Sequence, residues 1–192
     1  SGDTSHWAQL LALAQDIVAE RLQAHFKSNG PFKFGYTENS RWSSLEKVSP
    51  AASELPYPDK VVFLLALTPH LQPGFWENII LQFVPGGGDF PELGGVKGAQ
   101  HRGMLPTGET AQFIVAGMDI PARLELQHVF DTRHLFHQQQ LLWLEDVRES
   151  EPFMSGRLIL SQDWLDKNLY QREVPPRFSA EFPAKLVSTR MN

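Results

Sequence analysis

At 192 residues, 42% hydrophobic and 20% charged, the chain has the length and composition of one folded domain with a core of its own. A net charge of −5 argues against nonspecific binding to nucleic acid or an anionic membrane, which needs a basic patch. The absence of cysteine excludes disulfides, zinc–thiolate sites and thiol nucleophiles and is compatible with a cytoplasmic protein, while the longest apolar run, Val61 to Leu67, is far short of the ~18 residues of a membrane span.

Ser1-Gly2 reads as a tag scar, and the fold is expected over residues 3–170. Asp3, Thr4 and Ser5 offer N-caps for a first helix. Trp7, Leu10, Leu11, Ala14, Ile17, Val18 and Leu22 recur at helical spacing up to Phe26, and Asn29-Gly30-Pro31 stops it. The stretch from Pro31 to Pro58 is expected to be an ordered loop or short strands, pinned by Phe32, Phe34, Tyr36 and Trp42. Those aromatics read as packing residues, because no Arg/Lys cluster accompanies them to make a platform for stacked bases. Asp59 is placed as the cap of a helix over Lys60 to His70. Periodicity leaves Val61 to Leu67 open between helix and buried strand; Ala66 with the Leu and Phe residues favours helix, and Pro69 would end it. Pro73 then opens a short helix through Trp76 and Ile80.

Residues Gly86 to Gly103 carry seven glycines and are expected to form a long loop. They lack the chemistry of a phosphate cradle. Lys97 is followed by Gly98 and Ala99, so the hydroxyl that would hold Mg²⁺ is missing, and the dinucleotide spacing G-x-G-x-x-G is absent. Thr107 caps the next helix, with Glu109 in its first turn and Phe113, Ile114 and Val115 facing inward, up to Gly117. After the turn Met118-Asp119-Ile120, Pro121 starts a helix whose apolar face is Leu124, Leu126, Val129 and Phe130. Leu141 to Glu145 and Arg157 to Leu160 read as a β-hairpin with a long polar loop. Ser161 caps a last helix from Gln162 to Tyr170, with Trp164, Leu165 and Leu169 on one side; Asp163 and Asp166 read as its solvated face. Residues 171–192, with Pro175, Pro176 and Pro183, read as a semi-rigid linker. The expected class is therefore α+β, mainly helical, with a helix-turn-helix and β-hairpin element resembling a winged helix over about residues 105–170.

A winged helix suggests DNA, but the second helix sets Arg123 against Glu125, and the wing carries Glu145, Asp146, Glu149 and Glu151 against Arg148 and Arg157. A duplex repels such a wing, so it reads as structural or protein-binding, with nucleic-acid binding the alternative. His128, His134 and His137 cluster around Asp131, a set able in principle to hold Zn²⁺, yet no H-E-x-x-H pattern is present and the three read as surface or capping histidines. His101-Arg102, helped by the helix start at Thr107, could hold an anion. Lys97, His101, Arg102, Thr107 and Glu109 are accordingly the candidate protein or anion contacts. A second alternative is a small enzyme at the glycine-rich loop, which would require His101, Arg102 and Glu109 to converge in one pocket. No other catalytic, cofactor or metal set is identified.

The segments Leu93 to Gly98 and His101 to Ala111, which include Leu105-Pro106-Thr107-Gly108-Glu109-Thr110, carry a family likeness. So do Met154 to Leu158, Pro176-Arg177-Phe178-Ser179, Phe182-Pro183-Ala184 and Ser188-Thr189. Together they resemble the N-terminal region of a group of bacterial AAA+ ATPases, including those encoded beside phage-tail-like contractile injection systems. The likeness covers about the last hundred residues well and the first sixty in outline. It implies a noncatalytic adaptor or regulatory domain that stops before the ATPase module, with ATP and Mg²⁺ bound by that downstream module. Its implied partners are its own AAA+ module and a client protein, with oligomerisation driven by the absent module and no membrane partner.

Overall fold

The computed structural model describes residues 5–27, 39–87 and 90–171. Asp3, Thr4, the tag scar, Phe32, Phe34, Tyr36 and the tail from residue 172 lie outside the described residues. The class is α+β and mainly helical, with two small antiparallel sheets of two strands each.

The first helix, α1 (Ser5–Phe26), buries Trp7, Leu10, Ala14, Ile17, Val18 and Leu22, as the apolar spacing predicts, together with Leu13, while Leu11 is only partly buried. The next described stretch departs from the expected loop or strands. After a 3₁₀ turn at Ser40–Trp42 come two short helices, α2 (Ser43–Val48) and α3 (Pro50–Ser53). Asn39 caps the turn by accepting from the Arg41 N–H, and Pro50 opens α3 at the position where its missing N–H costs nothing. Trp42 and Leu45 are buried against α1 and its neighbours, so tertiary packing stabilises helices too short to stand alone.

Helix α4 (Tyr57–Leu71) is the centre of the fold. Every residue from Val61 to Thr68 is buried, which selects helix over strand, since an all-round apolar helix must be enclosed. It packs against α1 and α3. Two expectations are corrected. Asp59 is not the cap; Pro56 holds that position, and Asp59 is the third helical residue and buried. Pro69 does not end the helix, which runs on to Leu71. Pro69 has no N–H for the carbonyl of Leu65, but the Thr68 hydroxyl donates to that oxygen at 2.7 Å. Thr68 in turn accepts from the Trp76 indole N–H at 3.0 Å, tying α4 to α5 (Phe75–Phe83). Pro73 lies before α5 rather than in its first turn; Gly74, at φ +77°, is the cap.

From residue 90 onward the glycine-rich segment holds regular structure where a loop is expected. A 3₁₀ turn at Pro91–Leu93 leads to β1 (Val96–Lys97), which pairs antiparallel with β2 (Met104–Leu105), Val96 opposite Leu105. Gly95, at φ +100°, lies against Met104, where a Cβ would come within 2.6 Å of its side chain. Helix α6 (Gly108–Ala116) starts as expected: Thr107 accepts from the Thr110 N–H while Thr110 accepts from the Thr107 N–H. Its far end meets Arg21 of α1, whose Nε and Nη2 donate to the carbonyls of Ile114 and Val115 at 2.9 and 3.0 Å. Burial pulls the Arg21 guanidinium down to about 10, against which the nearby Glu20 and Tyr57 act.

After Gly117 come α7 (Ile120–Glu125), capped by Asp119, and a 3₁₀ turn at Leu126–Phe130. Leu126 and Val129 of that turn are buried, but α7 buries no residue, so Leu124 is not the core position expected. A single turn, α8 (Leu135–Gln138), precedes the hairpin of β3 (Leu142–Leu144) and β4 (Leu158–Leu160), with Trp143 opposite Ile159. Residues Pro106–Gly108 join this hairpin through Leu158 N–H to Pro106 O at 2.9 Å and Gly108 N–H to Gly156 O at 3.0 Å. Helix α9 (Gln162–Asn168) is capped by Ser161 as expected and ends before Tyr170. Asp166 is fully buried and accepts from Gln162, which corrects its reading as solvated. Helix-turn-helix and hairpin thus follow in the expected order. No helix among the described residues is long and apolar enough to cross a membrane.

Candidate functional site

No described cavity gathers the candidate residues of the glycine-rich region. Thr107 is buried, and its hydroxyl accepts from the N–H groups of Thr110 and Gly95, so it is committed to the helix cap and the ribbon. Glu109 and Thr107 both lie 2.9 Å from where a Cβ on Gly94 would stand. Lys97 and Arg102 are exposed. The His101 Nε2 atom is buried near Gly103 and the Glu77 carboxylate, whose other oxygen accepts from the Met104 N–H at 2.6 Å. A cavity of about 250 Å³ opens beside the β-ribbon, lined by Phe90, Pro91, Gly94, Gly95, Val96, Lys97 and Met104. Of the five candidates Lys97 alone borders it. His101, Arg102 and Glu109 share no described cavity.

The polar group the fold does build lies elsewhere. Asp59, 2% exposed near the start of α4, receives two imidazoles on a single oxygen. His134 Nε2 is 2.8 Å and His128 Nε2 3.2 Å from Asp59 Oδ2. His134 precedes α8 and is nearly enclosed; His128 sits on the 3₁₀ turn after α7 with its side chain 47% exposed. The carboxylate expected beside the histidines was Asp131, and the third imidazole His137. The structure supplies Asp59 instead, from 69 and 75 residues upstream, and His137 is not in the group.

The remaining ring nitrogens decide what these histidines are. His134 Nδ1 accepts from the Phe136 N–H at 3.0 Å, so it carries a lone pair and the proton is on Nε2, donated to Asp59. His128 Nδ1 lies 2.7 Å from the Glu125 carbonyl, which only accepts, so Nδ1 is protonated. Its Nε2 faces a carboxylate, which also only accepts. Both nitrogens of His128 therefore donate, and the ring is an imidazolium. The group is Asp59⁻, His128⁺ and neutral His134, with no net charge. Burial pushes the Asp59 carboxyl up, but the hydrogen bond from His134 together with the charge and hydrogen bond of His128 outweigh it and leave the carboxyl below its usual 3.8. Burial likewise works against the His128 cation, while the Glu125 carbonyl, Asp59 and Asp131 outweigh it and hold that imidazolium above 6.5.

The three ligand atoms lie within 4.8 Å of one another, close enough to suggest a metal centre. A metal on His134 Nε2 would need a proton on Nδ1, pointing at the Phe136 N–H. Only Asp59 and His128 could then bind without breaking the α8 cap, fewer protein ligands than structural or catalytic zinc takes. All four imidazole nitrogens are engaged, so neither ring can act as a general base before a hydrogen bond breaks. The set works as a clamp joining α4, the α7 segment and α8.

Next to the clamp, a cleft of about 490 Å³ runs between α4 and α7, lined by Pro56, Pro58, Val115, Ala122, Glu125 and Leu126 together with Asp59 and His128. On the opposite face of α7, Ile120 and Leu124 stand one turn apart, 67% and 59% exposed, and Met118 in the preceding turn is 59% exposed. An exposed run of apolar side chains on a helix that buries nothing is the least expected surface of this fold. No protein-family model, curated protein or solved structure matches the chain.

Proposed function

We propose that the chain is a noncatalytic adaptor or regulatory domain, the N-terminal part of an AAA+ ATPase, and that it works by binding protein. Its partners in this reading are its own ATPase module and a client protein, in the bacterial cytoplasm, with ATP and Mg²⁺ handled by the module. Association with a contractile injection system follows from the resemblance of the 105–110 and 176–179 segments. The observation that carries the reading is the outward apolar face of α7, Met118, Ile120 and Leu124, on a helix with no buried residue. Folded chains seldom leave three large apolar side chains together in water unless something covers them. The full engagement of both clamp imidazoles supports a domain that offers surface rather than chemistry.

A photoreactive amino acid at position 120 or 124 of the longer parent protein tests this. Illumination should give adducts to the ATPase module or to one second protein, whereas the same group at exposed Gln82 should give none of these. Absence of adducts from both α7 positions, or ATP turnover by the 192-residue chain alone, overturns the proposal.

A further inference from the structure

We propose that His128 is a proton-operated latch on the α7 segment: the imidazolium straps that segment to α4 through Asp59, and loss of one proton releases it. The inference rests on reading α7 as a contact surface, and it names how that surface is regulated.

The geometry leaves the segment few other ties. Helix α7 buries nothing, and its described polar links to the body are a Gln112 side-chain bond to the Arg123 carbonyl at 2.9 Å and the Arg123 bond back to Gly117 O at 2.8 Å. Leu126 and Val129 anchor the turn that follows. His128 lies between those two anchors, and its Nε2 bond to Asp59 is the polar contact that reaches α4. When neutral, the ring has one proton for two acceptors. If Nδ1 keeps it for the Glu125 carbonyl, the Nε2 lone pair faces the Asp59 carboxylate at 3.2 Å. If Nε2 keeps it, a lone pair faces the carbonyl at 2.7 Å. Either arrangement sets two electron pairs against each other, and a ring that is 47% exposed can turn into water instead.

The release is local. His134 remains donated to Asp59 Oδ2, so the buried carboxylate keeps a partner and α4 stays packed. The described groups that face the His128 ring are Asp59 of α4, Glu125 of α7, Asp131 after the turn and neutral His134. The Glu125 backbone carbonyl and the carboxylates of Asp59 and Asp131 favour the cation. The sign follows: the latch is closed at low pH and opens as pH rises through the imidazolium's pKa, above 6.5. Because the ring is half-exposed, the expected change in the opening equilibrium is modest, about fivefold.

The test uses the 192-residue chain and needs no partner. Imidazole signals of ¹³C-labelled histidine, followed between about pH 5 and 9, should show His128 titrating above the free-imidazole value. Amide hydrogen exchange, expressed as protection factors to remove its intrinsic pH dependence, should show protection over residues 120–130 falling about fivefold across the same titration. His128→Gln should show the low protection at every pH. Titration of His128 at the free value, flat protection in the wild-type chain, or a pH step that persists in His128→Gln each overturns the latch. Failure of α7 to cross-link any partner would leave these readouts intact, so the two ideas fail separately.

Discussion

Alanine replacement of the three clamp residues should cost stability in a fixed order: His134 and Asp59 far more than His128. Asp59→Ala removes the acceptor of His134 Nε2, a donor on a side chain only 8% exposed. An unpaired buried donor costs about 1–3 kcal/mol. The second lost bond, to half-exposed His128, adds about 0–1 kcal/mol after screening, for a total of about 1–4 kcal/mol. His134→Ala leaves the Asp59 carboxylate, 3% exposed, with His128 alone, and also strips the Phe136 N–H of its acceptor at the start of α8. Losing that cap adds about 1 kcal/mol to the about 1–3 kcal/mol for the buried partner, giving about 2–4 kcal/mol. His128→Ala forfeits the screened pair, about 1 kcal/mol or less. Urea denaturation at pH 6, with unchanged m-values, reads all three, and the Asp59/His134 double mutant should show coupling of about 1–2 kcal/mol. The acid limb has a definite sign. Asp59 is depressed below 3.8, so its contribution is full above that value and is lost as pH falls through the lower folded one. The reasoning is refuted if His128→Ala costs as much as His134→Ala, or if Asp59→Ala is neutral. Equal losses at the three positions together with sensitivity to chelators would point to a metal centre instead.

Two further perturbations probe the scaffold. Thr68→Val keeps the shape but leaves the Leu65 carbonyl and the Trp76 indole N–H without their partner, and should cost about 2–4 kcal/mol in thermal or urea unfolding, with Thr68→Ser restoring most of it. Gly156→Ala would set a Cβ 2.2 Å from the Glu145 carbonyl oxygen; relieving that overlap displaces the bonds Glu145 N–H to Arg157 O and Gly108 N–H to Gly156 O, so the hairpin should lose about 2–4 kcal/mol, and a wild-type melting curve for this variant would refute the packing described.

How much of this was legible in the sequence depends on the distance over which each feature is decided. The α1 face, the Thr107 cap with its stop at Gly117, the strand runs of the hairpin and the Ser161 cap follow from residues within a turn or two of one another, and all appear in the structure. The sequence hides the short helices at 43–53 because four of their eleven residues are Ser and Pro50 breaks the run, and what holds them is Trp42 and Leu45 packing on α1. Pro69 looked like a terminator because the rule counts a missing N–H, while the carbonyl it orphans was already served by the adjacent threonine. Leu124 was assigned to the core by periodicity, which identifies an apolar face and cannot say whether the chain itself covers it.

An aspartate beside Pro58 and ahead of an apolar run has the local pattern of a cap, and caps are exposed, cheap to make and replaceable. Here the chain starts the helix earlier, at Tyr57, and carries the carboxylate into the core. A buried carboxylate is tolerable only with donors, and the donors come from segments 69 and 75 residues later. No apolar side chain at position 59 could perform this role, because the link to His128 depends on charge. Asp59 therefore keeps its bond from His134 above its own titration, while the tie to His128 is present at low pH and lost as pH rises, the behaviour an adjustable attachment of α7 requires.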